Sequence, residues 1–521
     1  MRVCVATMKD ARADSEIELK LLVPLDAVRR LAAHRLLRGR TRPARRRLYS
    51  IYFDTPALDL WRQGIALRVR REGRRWMQTV KGGGSAHGGL HQRAEAEAEV
   101  AGPAPDTSRI RDRELAEAFA SPQLRAQLTP VFTTDITRSS RVLELGAEAR
   151  VEASVDLGVI RSGDRSEAVS EIELELKSGE PHQLYELALK LADDVPLSIG
   201  DRSKAERGFA LARGEPVKPV KARPVVLDRD MTVIDAFKAV MWVNLAHLQA
   251  NEAGMLGARD PEYLHQMRVA LRRLRSALAV FAPLFPEPVI SPARTELKWL
   301  ANGLGPARDW DVLVTEMLPQ IAAEFGAHAG LMEFSARCEK LRRRANARAR
   351  RAVHSARYRH LVLWLAAWLT QEGGLARIEP PARTALQTPV ADFAAMVLES
   401  RYGQVQKKGR KLGGLSVIEL HRLRIAIKKF RYAADFLAGL YEAKAARAAL
   451  KRLSRLQDIL GAMNDAATVA KLITRGFSRV PGQRGLEARG ILLGWSRGRA
   501  ATLKRELKSA WKEFRSAEKF W

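Results

Sequence analysis

Cysteine is nearly missing from this chain: Cys4 and Cys338 are the only two. Their separation gives neither a disulfide framework nor a cysteine-based metal site. Long apolar runs are missing as well. The strongest, LVLWLAAWL at 361–369, is too short to span a bilayer and reads as a buried helix. The opening MRVCVATMKDAR has no apolar core of the kind a secretory signal needs. The expectation is therefore a soluble, cytoplasmic protein with no membrane partner. No GxxxxGK occurs, which removes the phosphate-cradling loop of the Walker type. Aromatic residues make up only 6%. The basic helices described below lack interleaved aromatics for base stacking, which counts against nucleic acid as a partner.

Acid is short in one half only. Of the formal net charge of +30, residues 1–227 carry +7 and residues 228–521 carry +23. Such a field attracts polyanions of any kind. With 521 residues the chain exceeds one ordinary core. Residues 1–212 read as a strand-rich domain and 229–516 as a helical one. Between them, 213–228 contains GEPVKPVKARPVVL, with three prolines and no helical period.

The first domain alternates charge and aliphatic side chains with a period of two, the strand signal. EIELKLLV (16–23), IALRVR (65–70), WMQTVK (76–81), HQRAEAEAEV (91–100), ARVEASVDLG (149–158) and EIELELK (171–177) all show it. Helical stretches intervene near 24–37 and 182–194. GGGSAHGG (82–89) reads as a hairpin loop, with His87 and His91 as loop and surface groups. Parity places Arg68 with Arg70, Thr79 with Lys81, and Arg93 with Glu95, Glu97 and Glu99. One charged strand is an ordinary solvated face. Six in one small domain suit a closed barrel, aliphatic faces outward under the helices and charged faces inward. Glutamates there would hold hard cations and the basic groups would hold phosphate oxygens. Acid and base in one cavity match a metal–triphosphate substrate. Crowded carboxylates should also repel one another without metal, so Glu16→Gln or Glu173→Gln should leave metal-free stability unchanged or raise it.

These residues resemble a known family. EIELK fits the ExExK signature of the CYTH domain, the triphosphate tunnel metalloenzymes. The likeness continues in order through YFDTPALDLWRQGIALRVR (52–70), QTVKG (78–82), RAEAE (93–97), TTDITR (133–138), VDLG (155–158), EIELELKSG (171–179) and SKAERGFAL (203–211). It implies an α+β fold with an eight-stranded antiparallel tunnel that hydrolyses or transfers triphosphates using Mg²⁺ or Mn²⁺. Members with this layout resemble inorganic triphosphatases. Carried over, Glu16, Glu18 and Glu171 would hold one ion. Glu95, Glu97, Asp156 and Glu173 would hold a second. Lys20, Arg68, Arg70, Lys81, Arg93, Arg138 and Lys204 would cradle the phosphates. The implied chemistry is in-line attack of water on a metal-neutralised phosphate chain.

The helical half repeats itself. LHQMRVALRRLR (264–275) matches LHRLRIAIKKFR (420–431) at an offset of 156, and LGPARDWDVL (304–313) matches LGAMNDAATV (460–469) at the same offset. At about 100° per residue, His265, Arg268, Arg272 and Arg275 share one stripe, as do His421, Arg424, Lys428 and Arg431. Met267, Leu271, Leu274 and Leu278 line an apolar stripe, matched by Leu423, Ile427, Phe430 and Ala434. A solvated helix face normally mixes signs, and like charges one turn apart repel. The pattern resembles the CHAD domain, a duplicated all-α helical bundle. That resemblance implies a basic groove binding inorganic polyphosphate. Asn464 and Ala467, where the first copy has Arg308 and Asp311, depart from it. The two histidines could instead cap a buried network.

Together these readings predict metal-dependent hydrolysis of tripolyphosphate, with polyphosphate bound by the helical domain. The alternatives are a non-catalytic, granule-associated polyphosphate binder and a tunnel enzyme acting on an organic triphosphate.

Overall fold

The computed structural model describes residues 16–38, 43–146, 149–214, 216–326, 328–370, 380–477 and 482–521. They fall into two compact units. One comprises 1–218 together with 356–373; the other comprises 219–355 and 374–521. The domain boundary read from sequence, a linker at 213–228, lies around the 218/219 division. The segment 356–373, expected within the helical half, groups with the first unit.

The first unit is built on β1 (Glu16–Leu22), β2 (Ala44–Asp54), β3 (Ala66–Glu72), β4 (Arg75–His87), β5 (Leu90–Val100), β6 (Thr129–Leu145), β7 (Ala149–Ser162), β8 (Arg165–Ser178) and the two-residue β9 (Ser198–Ile199). Their order is β5-β4-β3-β2-β6-β7-β8-β1-β9, and β1 also pairs with β5. Eight antiparallel strands therefore close on themselves. The ninth, absent from the sequence reading, adds only Leu21↔Ile199 and Leu22↔Ser198 beside β1. Closure leaves the eight long strands without a free edge.

Strands β2 and β6 escape the alternation test. ARRRLYSIYFD opens on three arginines, and TPVFTTDITRSSRVLEL is rich in Thr and Ser, so neither shows a clean polar–apolar period. The glycine run is also corrected. Gly82 to His87 extend β4 rather than forming a loop, with a register shift between Gly82 and Ser85. The turn is confined to Gly88 and Gly89, at φ of 58° and 80°. A Cβ on Gly89 would meet the Ile199 side chain at 2.6 Å and the Lys20 carbonyl at 3.0 Å, so glycine is required there.

Short helices α1 (Val28–Ala32), α2 (Asp59–Arg62), α3 (Arg113–Glu117) and α4 (Pro122–Ala126) precede α5 (Pro181–Ala192) and α6 (Lys204–Arg213). The stretch near 24–37, expected as one helix, is broken into α1 flanked by two 3-10 turns. Helices α2 and α3 cover Phe53, Leu67, Val69 and Val80 on the outer face of β2–β4.

The interior differs from the expectation of a wholly charged bore. Directly opposed residues on antiparallel strands share a face. Tyr52 opposes both Arg68 and Phe132, and Leu48 opposes Ile136. Part of the inner face is thus apolar: Leu48, Tyr52, Phe132, Ile136, Ile160 and Val169 enclose Ala205 and Phe209 of α6. Gly208 permits this approach, since a Cβ there would lie 2.1 Å from the Phe132 ring. Helix α6 fills one end of the barrel, and the charged residues line the rest.

The second unit holds α7 (Val233–Ala250), α8 (Glu252–Gly257), α9 (Pro261–Phe281), α10 (Glu287–Asp311), α11 (Leu318–Phe325) and α12 (Ala329–His354). Helix α13 (Ala356–Thr370) belongs to the first unit. There it packs against α5 and β9. The second unit resumes with α14 (Pro380–Leu386), α15 (Val390–Gly409), α16 (Val417–Leu437), α17 (Ala443–Phe477) and α18 (Gln483–Arg515). Helices α16 and α17 each begin 156 residues after α9 and α10, so the duplication is one of whole helices. Both apolar stripes are buried.

Candidate functional site

Four neighbouring strands carry the charged interior. Asp156 on β7 opposes Arg138 on β6 and Glu171 on β8; Glu173 opposes Lys20 on β1. The carboxylates of Asp156, Glu171 and Glu173 each offer an oxygen within 4.8 Å of the others. All three are buried, Asp156 and Glu171 completely. Lys204, on the first turn of α6 behind the Ser203 cap, places its Nζ 2.7 Å from Asp156 Oδ2, 2.5 Å from Glu171 Oε1 and 2.9 Å from Glu173 Oε1. Arg138 holds Asp156 through two bonds of 2.8 and 2.7 Å and also contacts Glu173. Lys20, almost fully buried, contacts Glu173 and lies 3.5 Å from Glu171 and 3.6 Å from Glu18.

The electrostatics follow. Burial opposes charge on Glu173, but Lys20, Lys204 and Arg138 outweigh it and hold this carboxyl well below its usual range. Asp156 is depressed the same way, burial being overcome by Lys204 and then Arg138. Burial lowers the Lys204 ammonium, yet Asp156, Glu171 and Glu173 drive it well above its ordinary value. Lys20 is raised likewise, Glu173 and Glu18 outweighing burial.

A second cluster lies on β3, β4 and β5. Lys81 pairs with Glu95 at 2.8 Å, Thr79 donates to Glu97 at 2.9 Å, and Arg68 lies 3.6 Å from Glu95 and 3.8 Å from Glu97. Arg70 has weaker partners, Ser50 at 3.4 Å and Glu72 at 3.5 Å. Burial, then the adjacent Arg68 and Arg138, push its guanidinium down to about 10. Its charge is under-compensated, which favours a bound anion.

In the second unit, α9 packs on α16 and the two basic stripes converge. Burial and then Arg424, Arg272, Arg275 and Lys429 push the Lys428 ammonium down to about 8. Arg272 and Arg431 flank one ring, Tyr432, at 5.8 and 4.8 Å. Arg273, off the stripe, is buried between the repeats on Asn244 and Asp435.

The sequence models of two families match these two pieces: the CYTH domain over residues 14–209 and the CHAD domain over 239–474. The chain joins a CYTH domain to a CHAD domain. The inorganic triphosphatase of Haemophilus influenzae is 31% identical over 165 residues, 32% of this chain. The match spans 46% of that relative, under half its length. The solved CHAD domain from the plant Ricinus communis is 33% identical, covering 56% of this chain and 96% of its own, with a TM-score of 0.49. A Hippeastrum protein, named as an adenylyl cyclase and described as having a dominant triphosphatase activity, is 20% identical over 38% of this chain and 95% of its own, with a TM-score of 0.30.

Within the CYTH domain, Lys20, Arg138, Lys204, Asp156, Glu171 and Glu173 come together, with Glu18 beside Lys20. Arg68, Lys81, Glu95 and Glu97 form the second group, and Arg70 feels charge from both. The backbone puts Glu16 opposite Arg93 on β1 and β5, and their side chains lie outside the described residues. Among the described residues, Asp156, Glu171 and Glu173 gather with Glu18 nearby, and Glu95 and Glu97 lie in the second group. Sequence reasoning missed Arg207. It binds Glu171 at 3.0 Å, Glu167 at 2.7 Å and the Ala168 carbonyl at 2.6 Å. Its only signal was its place three residues after Lys204, one helical turn on.

Within the CHAD domain the two histidines differ. Burial and then Arg308 lower the His265 imidazole from its ordinary value. His421 is exposed. Asp311 is buried against Asn346 at 3.0 Å and Arg342 at 3.4 Å, just before a π-helical turn at Val312–Met317. Ala467 supplies no such carboxylate in the second copy, and its side chain lies outside the described residues. Among the described residues no helix is long and apolar enough to cross a membrane.

Proposed function

We propose that the CYTH tunnel hydrolyses inorganic triphosphate with a divalent ion, and that the CHAD domain binds polyphosphate. One observation carries the first part: a buried carboxylate triad interleaved with Lys20, Arg138 and Lys204 and adjoined by Arg68, Arg70 and Lys81. The donors are all oxygens, which suit Mg²⁺ or Mn²⁺ rather than a thiolate-seeking metal. A cation, the Lys204 ammonium, already sits among them. Asp156, Glu171 and Glu173 would hold the ion with Glu18 nearby, and Glu95 and Glu97 offer a second carboxylate pair. Bound there, such an ion would supply neutralisation of the phosphate chain and a lowered pKa for the attacking water.

The protein's own groups do the rest. Arg70 and Arg68 take phosphate oxygens; Arg138 bridges triad and anion. Lys81 faces charge developing on the leaving pyrophosphate. Phe209 and its apolar shell confine the anion to the charged part of the bore. For the CHAD domain, the convergence of the two stripes on Lys428 supports an elongated polyanion ligand. The test is phosphate release from tripolyphosphate, ATP, thiamine triphosphate and long-chain polyphosphate, each with Mg²⁺ and Mn²⁺. Tripolyphosphate should be the fastest substrate, and only with metal. A clear preference for ATP, or full activity in EDTA, would contradict the reading.

A further inference from the structure

The triad is already paired with protein cations as it stands. Asp156 meets Arg138 and Lys204; Glu171 meets Lys20, Lys204 and Arg207; Glu173 meets Lys20, Arg138 and Lys204. Three carboxylates thus face four cations, of which Lys20 is shared with Glu18 and Arg207 with Glu167. One cation is placed differently from the others. Among the described residues, Lys204 Nζ alone is within 3 Å of all three acids, the same carboxylates that would hold a metal ion. An ammonium and a divalent ion cannot share that position. Like charges placed together in a partly buried site repel strongly.

We propose that Lys204 is a resident counter-ion that a divalent metal must displace, so that metal alone binds the tunnel weakly and metal with a phosphate chain binds well. The exchange puts a double charge where a single one stood. The displaced ammonium then needs an anion, and it sits on a flexible four-carbon stem at the edge of α6. A triphosphate beside Arg70 supplies that anion. Lys204 thereby couples the two ligands, and it keeps the buried carboxylates from repelling one another when neither is present. This rests on the tunnel being a metal–triphosphate site.

The experiment is Mn²⁺ binding to the full-length protein without any phosphate, followed by the loss of the free-ion electron paramagnetic resonance signal. Wild type is compared with Lys204→Met and with Lys177→Met. Lys177 contacts Glu175 and Glu152, away from the triad, so its removal tests for a mere change of charge. Lys204→Met should bind Mn²⁺ at least about ten-fold more tightly than wild type, and Lys177→Met within about three-fold of it. A thermal readout covers a loss of stability: millimolar Mg²⁺ should raise the midpoint of Lys204→Met or Lys204→Gln and leave wild type nearly unmoved. Equal affinities of wild type and Lys204→Met, or an equal gain in Lys177→Met, would overturn the proposal. Tight phosphate-free binding by wild type would overturn the exchange and leave the triphosphatase reading standing. No Mn²⁺ binding to any variant would also overturn the exchange.

Discussion

Glu173 shows how far one residue can be read from sequence. An alternating EIELELK announces acids on one face, and acids alone should repel, so Glu173→Gln looks harmless or stabilising. The partners decide otherwise. They arrive from β1, β6 and α6, at separations of 31 to 153 residues that no local pattern reveals. Removing this carboxylate leaves Lys20, Lys204 and Arg138 buried with too little counter-charge. Glu173→Gln should therefore destabilise the metal-free protein by about 3 kcal/mol or more, measured by urea unfolding. The pH dependence has the matching sign. Glu173 and Asp156 are depressed in the folded state, so their contribution is complete above the ordinary carboxylate range near 4 and is lost as pH falls from there through their lower folded values. Wild type should lose stability steeply on acidification, and Glu173→Gln less so. Lys428 gives a second test. With its ammonium held down at about 8, the free CHAD domain sheds this proton within reach of experiment. A bound polyanion would raise that value. Polyphosphate affinity, read by isothermal titration in buffers of different ionisation enthalpy, should fall as pH rises through about 8, with proton uptake on binding. Lys428→Arg should flatten both.

Among the elements, those with a clean period were legible and those defined by tertiary contact were not. Strands β1, β3, β4, β5, β7 and β8 alternate visibly; β2 and β6 are masked by arginine, serine and threonine. Helix α6 carries a full capping box, Ser203 with Glu206, yet nothing local says that it enters the barrel. Helix α13 is the sharper case. Its apolar character on all sides was readable, but not its destination. It lies between the two helical repeats in sequence and packs on α5 of the tunnel unit. Thr370 there meets the Tyr185 hydroxyl, which donates to the Gly88 carbonyl at 2.9 Å. The neighbouring Gly89 carbonyl accepts the Lys20 amide at 2.9 Å. A chain of contacts thus runs from α13 to the backbone of a site lysine. Leu365→Ala, at a fully buried position of α13, should cost about 2–5 kcal/mol. Limited proteolysis of the full chain should show that loss first in the tunnel unit. Cleavage confined to residues 219–355 would contradict this packing.

For the whole molecule, composition indicated a basic protein with two kinds of structure, and the ordered motifs indicated which two. Their pairing of a charged tunnel with a doubled basic helix explains why the excess charge is concentrated after residue 227. The first half nearly balances its basic residues with acids, and the helical half does not. On the proposed function, turnover belongs to the triad and polyanion binding to the helices. The direct measurement is phosphate release from tripolyphosphate with saturating Mg²⁺ by wild type and Glu173→Gln, alongside polyphosphate affinity of the same two proteins below their unfolding temperatures. The rate of Glu173→Gln should fall by orders of magnitude with its polyphosphate affinity unchanged. A variant that kept more than about a third of the wild-type rate, folded and saturated with metal, would place the chemistry elsewhere.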